Sequence, residues 1–336
     1  MATGWARVQA ALRLGVADRP PVSAWGHTYD REWAVDTLAA TTVLSARRFG
    51  FDFVKLQIRA TCFAEAFGAR WSYSGSPAAE PVLEQAGGTA PEDWRRIASG
   101  EHDLAPLRDQ VEVMRLVAHE LGADTPVLQT VFSPGMVAWY LAGRDLQRLQ
   151  SLVAEEPALL EQSLERIGEV LADFTRDSLA AGAAGVFYAI NPLADTRVIS
   201  SADYERLYLP SDRIAAAAAD AGWFNMLHLC GAHIDTALVE RLPMQCVNWS
   251  LHDDGNPGLR ELRDRFRVPV AGGLHRNSPI QCASADEMRA AATAALTDTG
   301  GRGHLLTPGC SVSPWPQARP ENLEAMVAAA AAAAGR

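Results

Sequence analysis

The chain has 336 residues, 48% hydrophobic and 21% charged, enough for two average domains or one large α/β barrel with a substantial core. A formal net charge of −10 argues against a nucleic-acid partner, and no run approaches the roughly 20 apolar residues that a membrane span needs. Residues 1–7 lack the apolar core of a secretory signal, and the five scattered cysteines, an odd count, read as thiols of a reducing compartment, so a cytoplasmic protein is expected.

Residues 3–17 have the pattern of an amphipathic helix that stops before Asp18-Arg19-Pro20-Pro21, because proline lacks an N–H and its ring clashes with the preceding turn. The extended Val22-Ser23-Ala24-Trp25-Gly26 is the first expected strand. Apolar residues recur at helical spacing over 33–48, and 51–57 is the second strand. The stretch 59–104 loses this periodicity and carries the turn signals Ser74-Gly75-Ser76-Pro77, Gly87-Gly88 and Pro91. An inserted excursion of hairpin and loops is expected there, lying as a lid over a barrel mouth.

From Leu107 helices and strands alternate. A helix to Leu121 precedes a strand at 126–132, one long helical region at 146–179 precedes a strand at 186–190, and an Ala-rich helix at 204–221 precedes a strand at 223–227 that runs into His228. Strands at 245–250, 269–273 and 304–306 follow, separated by helices at 258–266 and 284–297, with a last helix at 320–334. Eight strands alternating with helices are the order of a (β/α)8 TIM barrel, here a single domain over 1–336. A doubly wound sheet competes, but no glycine-rich phosphate fingerprint follows the first strand.

Two stretches carry chemistry. His228-Leu229-Cys230-Gly231 and Thr307-Pro308-Gly309-Cys310 each follow a short apolar run, and in a barrel the ends of strands five and eight would bring them to the catalytic face. A His-x-Cys pair on a strand shares one face, and an imidazole with two thiolates is a borderline-soft set suited to Zn²⁺ with a fourth position open. The same residues can equally be core: free cysteine is among the most buried side chains.

Other candidates follow from position. Asp52 and Lys55, three apart on the second strand, face opposite sides, and Asp52 is taken as a catalytic candidate beside Tyr188 near the end of strand four. Gln129 and Asn191 are expected as pocket polar groups and Trp25 as an apolar wall. His252 and Asp253 could supply a fourth ligand or a substrate contact, although 253–257 also suits a turn. His275 and Arg276 suit an anionic tail, or a solvated loop. Cys62, Cys246 and Cys282 are expected as core thiols.

At Asp18-Arg19-Pro20-Pro21-Val22, Phe51-Asp52-Phe53-Val54-Lys55, Glu65-Ala66-Phe67-Gly68, Ala181-Gly182-Ala183-Ala184-Gly185, the two stretches above and Pro320-Glu321-Asn322-Leu323, the chain resembles the uroporphyrinogen decarboxylase superfamily. It is most similar to the zinc-dependent methylcobamide:thiol (coenzyme M type) methyltransferase branch. The resemblance implies a (β/α)8 barrel with zinc held by His228, Cys230 and Cys310. It further implies that a small thiol, activated as a zinc-bound thiolate, is methylated by a methylcorrinoid such as methylcobalamin or by another methyl donor. No Asp-x-His-x-x-Gly stretch is present, so a corrinoid is expected to arrive on a partner protein.

The decarboxylases proper hold tetrapyrrole carboxylates with an arginine-bearing segment after Arg-Pro-Pro. Here that place reads Val22-Ser23-Ala24-Trp25-Gly26-His27-Thr28, with no arginine before Arg31, a poor site for several carboxylates. A decarboxylase or lyase is therefore the alternative, and a non-catalytic corrinoid or tetrapyrrole carrier a third reading. Ala-rich segments at 214–219 and 327–334 suit homodimer packing, or express helix propensity alone.

Overall fold

The computed structural model describes residues 2–15, 18–242 and 244–333; residues 16, 17 and 334, expected at the ends of the first and last helices, lie outside the described residues. Its strands are β1 (Val54–Lys55), β2 (Arg70–Ser72), β3 (Val82–Gln85), β4 (Val127–Phe132), β5 (Gly185–Ile190), β6 (Met226–Leu229), β7 (Cys246–Trp249), β8 (Val270–Leu274) and β9 (His304–Pro308). Seven of them form one curled parallel sheet in the order β1-β4-β5-β6-β7-β8-β9, with helices in the connections. β4 to β9 are buried at every residue, as expected of parallel strands covered on both faces, and their sequences accordingly run apolar without alternation.

The first expected strand makes bridges in place of a full ladder. Val22 pairs with Leu306 and Gly26 with Val312, both parallel. Ser23 N–H donates to Leu306 O, and Leu306 N–H to Pro21 O. On the other side Asp52 N–H donates to Val22 O, and the Ser23 hydroxyl donates to Phe53 O at 2.7 Å. Pro20 and Pro21 offer no N–H to this ladder, and the second expected strand reduces to Val54–Lys55, with Leu56 N–H still donating to Leu128 O.

Prolines also divide the helices more finely than apolar periodicity suggests. The region 146–179 is two helices, Leu146–Glu155 and Pro157–Ala180, since Pro157 starts a helix well but cannot continue one. The expected helix at 204–221 is likewise split at Leu207, with Pro210 in the first turn of Leu209–Ala217. Within 59–104, β2 and β3 pair antiparallel, with Trp71 opposite Leu83, and a helix not expected there spans Pro91–Ser99. Pro91 opens that helix, Asp93 accepts from the N–H groups of Thr89 and Ala90, and Trp94 and Ile97 bury its inner face. Among the described residues no helix is long and apolar enough to cross a membrane.

Candidate metal centre

β6 carries His228, and the residue just past its end is Cys230; the two-residue strand period points both side chains into one cavity at the C-terminal ends of the strands. Gly231 has φ +108°, a left-handed value that glycine adopts without a Cβ penalty, and this turns the chain away immediately after Cys230. β9 ends at Pro308, and Gly309 packs so closely under Ser250 that an added Cβ would lie 2.5 Å from Ser250 Cα. That close approach brings Cys310 to the pair from β6.

The three expected ligands converge. His228 Nε2, Cys230 Sγ and Cys310 Sγ all lie within 4.8 Å of one another, with the sulfurs 3.9 Å apart and Cys310 Sγ 3.6 Å from His228 Nε2. A tetrahedral zinc with bonds of about 2.3 Å to sulfur and about 2.0 Å to nitrogen spaces its ligands about 3.5–3.8 Å apart, close to the separations of Cys310 from Cys230 and from His228, so these donors suit the ion. The hydrogen bond between the Cys230 and Cys310 sulfurs holds the Cys310 thiol well below its ordinary value, with the nearby His228 assisting.

His228 is 4% exposed and its other nitrogen is committed: Nδ1 lies 2.6 Å from Asn248 Oδ1. The Asn248 amide can only be oriented this way, because its Nδ2 donates to Ala271 O at 3.0 Å and faces Thr307 Oγ1 and Pro308 O at 3.4 Å. Nδ1–H therefore donates to Asn248, and Nε2 is left with its lone pair toward the sulfurs. Phe187 stacks on the imidazole at 4.9 Å between ring centroids.

The cavity beside the triad has a volume of about 220 Å³. Asn191 and Arg276 line it, as expected, and with His252 and Asp253 they also line the outer opening over the triad. His252 and Asp253 do not join the donors within 4.8 Å; His252 Nε2 instead faces Gly273 O at 3.3 Å. His275 stays behind, its Nδ1 accepting from Asn277 N–H, and burial lowers its pKa. Trp25 packs edge-on against Phe187 and does not line the cavity.

Three further expected site residues, like His275 and Trp25, are not brought to the cavity. Asp52 is 3% exposed and held by Arg7 at 2.8 Å, Arg19 at 2.6 Å and Val22 N–H at 2.9 Å, a buried ion-pair cluster away from the strand ends that carry the triad. Tyr188 points into the helical layer, where its hydroxyl and that of Tyr204 both donate to Asp212. Burial raises the pKa of both tyrosines and lifts Asp212 to about 7. Gln129 donates to Gln110 O and Ser178 Oγ, also on the helix side. In β4 and β5 it is Thr130, Phe132, Phe187 and Ala189 that face inward.

The cavity holds one charged residue that the sequence paired with Asp52, and three polar groups that sequence reasoning passed over. Lys55, the alternative to Asp52, points in, and Gln57, His27 and Glu32 stand beside it in one hydrogen-bonded chain. Farther out, Arg144 pairs with Glu80 from the β2–β3 connection and lies over the rings of Trp71 and Tyr140. Cys62, Cys246 and Cys282 are buried elsewhere.

Comparisons with known proteins agree with this architecture. The family model of uroporphyrinogen decarboxylase (URO-D) matches residues 30–333. A uroporphyrinogen decarboxylase of Alkalilimnicola ehrlichii is 26% identical over 257 residues, covering 69% of this chain and 66% of that protein. One from Streptomyces coelicolor is 33% identical over 125 residues, 33% of this chain and 34% of its own length. Among solved structures, a methyltransferase from Methanosarcina mazei superposes with a TM-score of 0.78 at 19% identity, covering 98% of both chains. A B12-independent methionine synthase from Shewanella sp. W3-18-1 superposes with a TM-score of 0.58 at 11% identity over 93% of this chain and 97% of its own. At these identities the structural likenesses speak to fold alone. With the family model spanning nearly its whole length, this chain belongs to the uroporphyrinogen decarboxylase (URO-D) family.

Proposed function

We propose that the protein is a zinc-dependent alkyl transferase, a methyltransferase in its simplest form, that readies a small thiol for alkylation at His228, Cys230 and Cys310. The observation that carries this reading is the ligand set: two thiols and an oriented imidazole within 4.8 Å, opening onto a cavity. Zinc bound there would supply an open position at which a thiol is held as thiolate, the form that attacks an alkyl carbon.

The protein's own residues do the rest. Cys230 and Cys310 as thiolates balance a divalent charge, a donor set that suits presenting a soft sulfur better than polarising a carbonyl. Asn248 keeps Nε2 of His228 available. Arg276 and Asn191, at the junction of cavity and opening, receive the polar end of the substrate. We read the curled sheet as a single-domain (β/α)8 barrel in which 21–26, bonded to β9 and reached by Asp52 N–H, stands as the eighth member, and 59–104 as an inserted lid. The methyl donor is a methylcorrinoid brought by a partner protein, or a smaller methylated compound.

A decarboxylase is the second reading, favoured by the names of the curated relatives. Against it, the segment after Pro21 has no arginine, and Arg31 pairs with Asp30 at 56% side-chain exposure. The discriminating experiment mixes zinc-loaded protein with methylcobalamin and 2-mercaptoethanol. Loss of the methylcobalamin spectrum with thioether formation, abolished in Cys310→Ala, is the expected result. Release of CO2 from a carboxylated tetrapyrrole by metal-free protein would overturn it.

A further inference from the structure

Lys55 is 5% exposed and points into the cavity that the sulfurs also line, yet it makes no ion pair among the described residues. Its Nζ donates to Gln57 Oε1 at 2.6 Å and lies 4.9 Å from the Phe187 ring centroid. Both carboxylates lining the cavity are committed elsewhere. Glu80 pairs with Arg144, and Glu32 accepts from Thr28 N–H at 2.8 Å and from His27 Nδ1 at 2.9 Å.

The chain around Lys55 has one consistent direction. His27 gives Nδ1–H to Glu32, so its Nε2 accepts from Gln57 Nε2 at 2.8 Å. The Gln57 amide is thereby turned with its oxygen toward Lys55, and Ser311 donates to the same oxygen at 3.0 Å. A buried amine with no carboxylate, its one acceptor held in place through two further residues, is an unusual thing to build.

The charge balance at the triad supplies a reason. Two cysteine thiolates offset a divalent ion, so a third, incoming thiolate would add an uncompensated buried negative charge. Resting on the thiol-binding reading above, we infer that Lys55 is the catalytic base that takes the proton of the incoming thiol, and that its ammonium then balances the bound thiolate. The S–H bond breaks and its electron pair stays on sulfur, while an N–H bond forms from the Nζ lone pair; net charge in the cavity is unchanged. Gln57, His27 and Glu32 are positioning residues.

Burial lowers Lys55 to about 7, with Cys310 and Glu32 opposing that shift, so the amine is available as a base above neutrality. Of the other groups lining the cavity, Arg144 and Arg276 are cationic, and burial raises Tyr29 and Tyr140. None of these accepts a proton at pH 8. His27 presents its Nε2 to Gln57, not to the cavity centre.

The test titrates 2-mercaptoethanol into cobalt(II)-loaded protein at pH 6 and pH 8. Binding is read from the cobalt–sulfur charge-transfer band, and proton release from calorimetry in two buffers of different ionisation enthalpy. The parent is expected to release close to one proton at pH 6, where Lys55 is already charged, and close to none at pH 8. Lys55→Met should still bind cobalt but release about one proton at both pH values, with thiol affinity at pH 8 lower on the order of a hundredfold. Lys55→Arg keeps the charge and so the affinity, yet also releases a proton at both. Gln57→Glu sets a carboxylate against Lys55, fixes it as ammonium, and restores release at pH 8. Parent-like proton counts in Lys55→Met, or a full proton released by the parent at pH 8, would overturn the role of Lys55 while leaving thiol binding intact. A parent whose cobalt spectrum ignores the thiol would overturn the thiol-binding reading, and this role with it.

Discussion

Asn248 Oδ1 lies 2.6 Å from His228 Nδ1, and three acceptors around Asn248 Nδ2 prevent the amide from turning over. Residues that orient a ligating histidine typically change metal affinity by about 10–100-fold when removed. Asn248→Ala is expected to weaken zinc binding within that range, as measured by competition with a chromophoric chelator. Unchanged affinity would show that the imidazole needs no such partner.

Gly309 has no room for a methyl group: the added Cβ would lie 2.5 Å from Ser250 Cα and 2.9 Å from Trp249 O. Both are main-chain atoms that cannot rotate away. Gly309→Ala should cost about 1–3 kcal/mol in urea unfolding, as overpacked sites do. It should also lower metal affinity, because the neighbouring Cys310 must move with the loop.

Tyr188 is a test of the opposite kind. Its hydroxyl donates to buried Asp212 at 2.7 Å on the helix side. Tyr188→Phe is expected to lose about 1–3 kcal/mol of stability and to leave zinc affinity and thiol binding at parental values. A change in either would mean that β5 presents its other face to the cavity.

His304, fully buried at the start of β9, is held neutral between Thr299 Oγ1 at 2.8 Å and Gly272 O at 3.1 Å, and burial lowers its pKa from 6.5 to about 4. Between those values the unfolded chain binds the proton and the folded chain does not, so this group makes stability fall as pH drops from 6.5 toward 4. The full effect is on the order of 3 kcal/mol. Asp212, raised from 3.8 to about 7, works in the other direction over an overlapping range. The parent's own pH profile therefore mixes the two. The difference between the parent and His304→Gln in urea unfolding, followed from pH 7.5 to pH 5, isolates the histidine. The parent should lose more stability than the variant over that interval; parallel curves would contradict the assignment.

How much of this was legible in the sequence depends on where the determining partners lie. His228 and Cys230 were readable because one strand face carries both, and Cys310 because a comparable apolar run precedes it. Asp52 misled because its partners, Arg7 and Arg19, are 45 and 33 residues upstream, and nothing local distinguishes it from Lys55 as the inward residue. Tyr188 and Gln129 misled for another reason: β4 and β5 are buried on both faces, so their apolar runs have no alternation to tell inside from outside. His27 and Glu32 sit on an irregular stretch without period, and the hydrogen bonds that make them a unit with Gln57 are tertiary. Asn248 lay in an expected strand but carried no signal until its amide was seen against His228.

The central claim is that His228, Cys230 and Cys310 hold a zinc ion. The most direct measurement is the metal content of the purified protein by mass spectrometry, beside Cys230→Ser and Cys310→Ala variants whose circular dichroism matches the parent. About one zinc per chain in the parent, lost in both variants, is the result expected of a three-ligand site. Zinc absent from the parent after reconstitution, or retained equally by both variants, would contradict it.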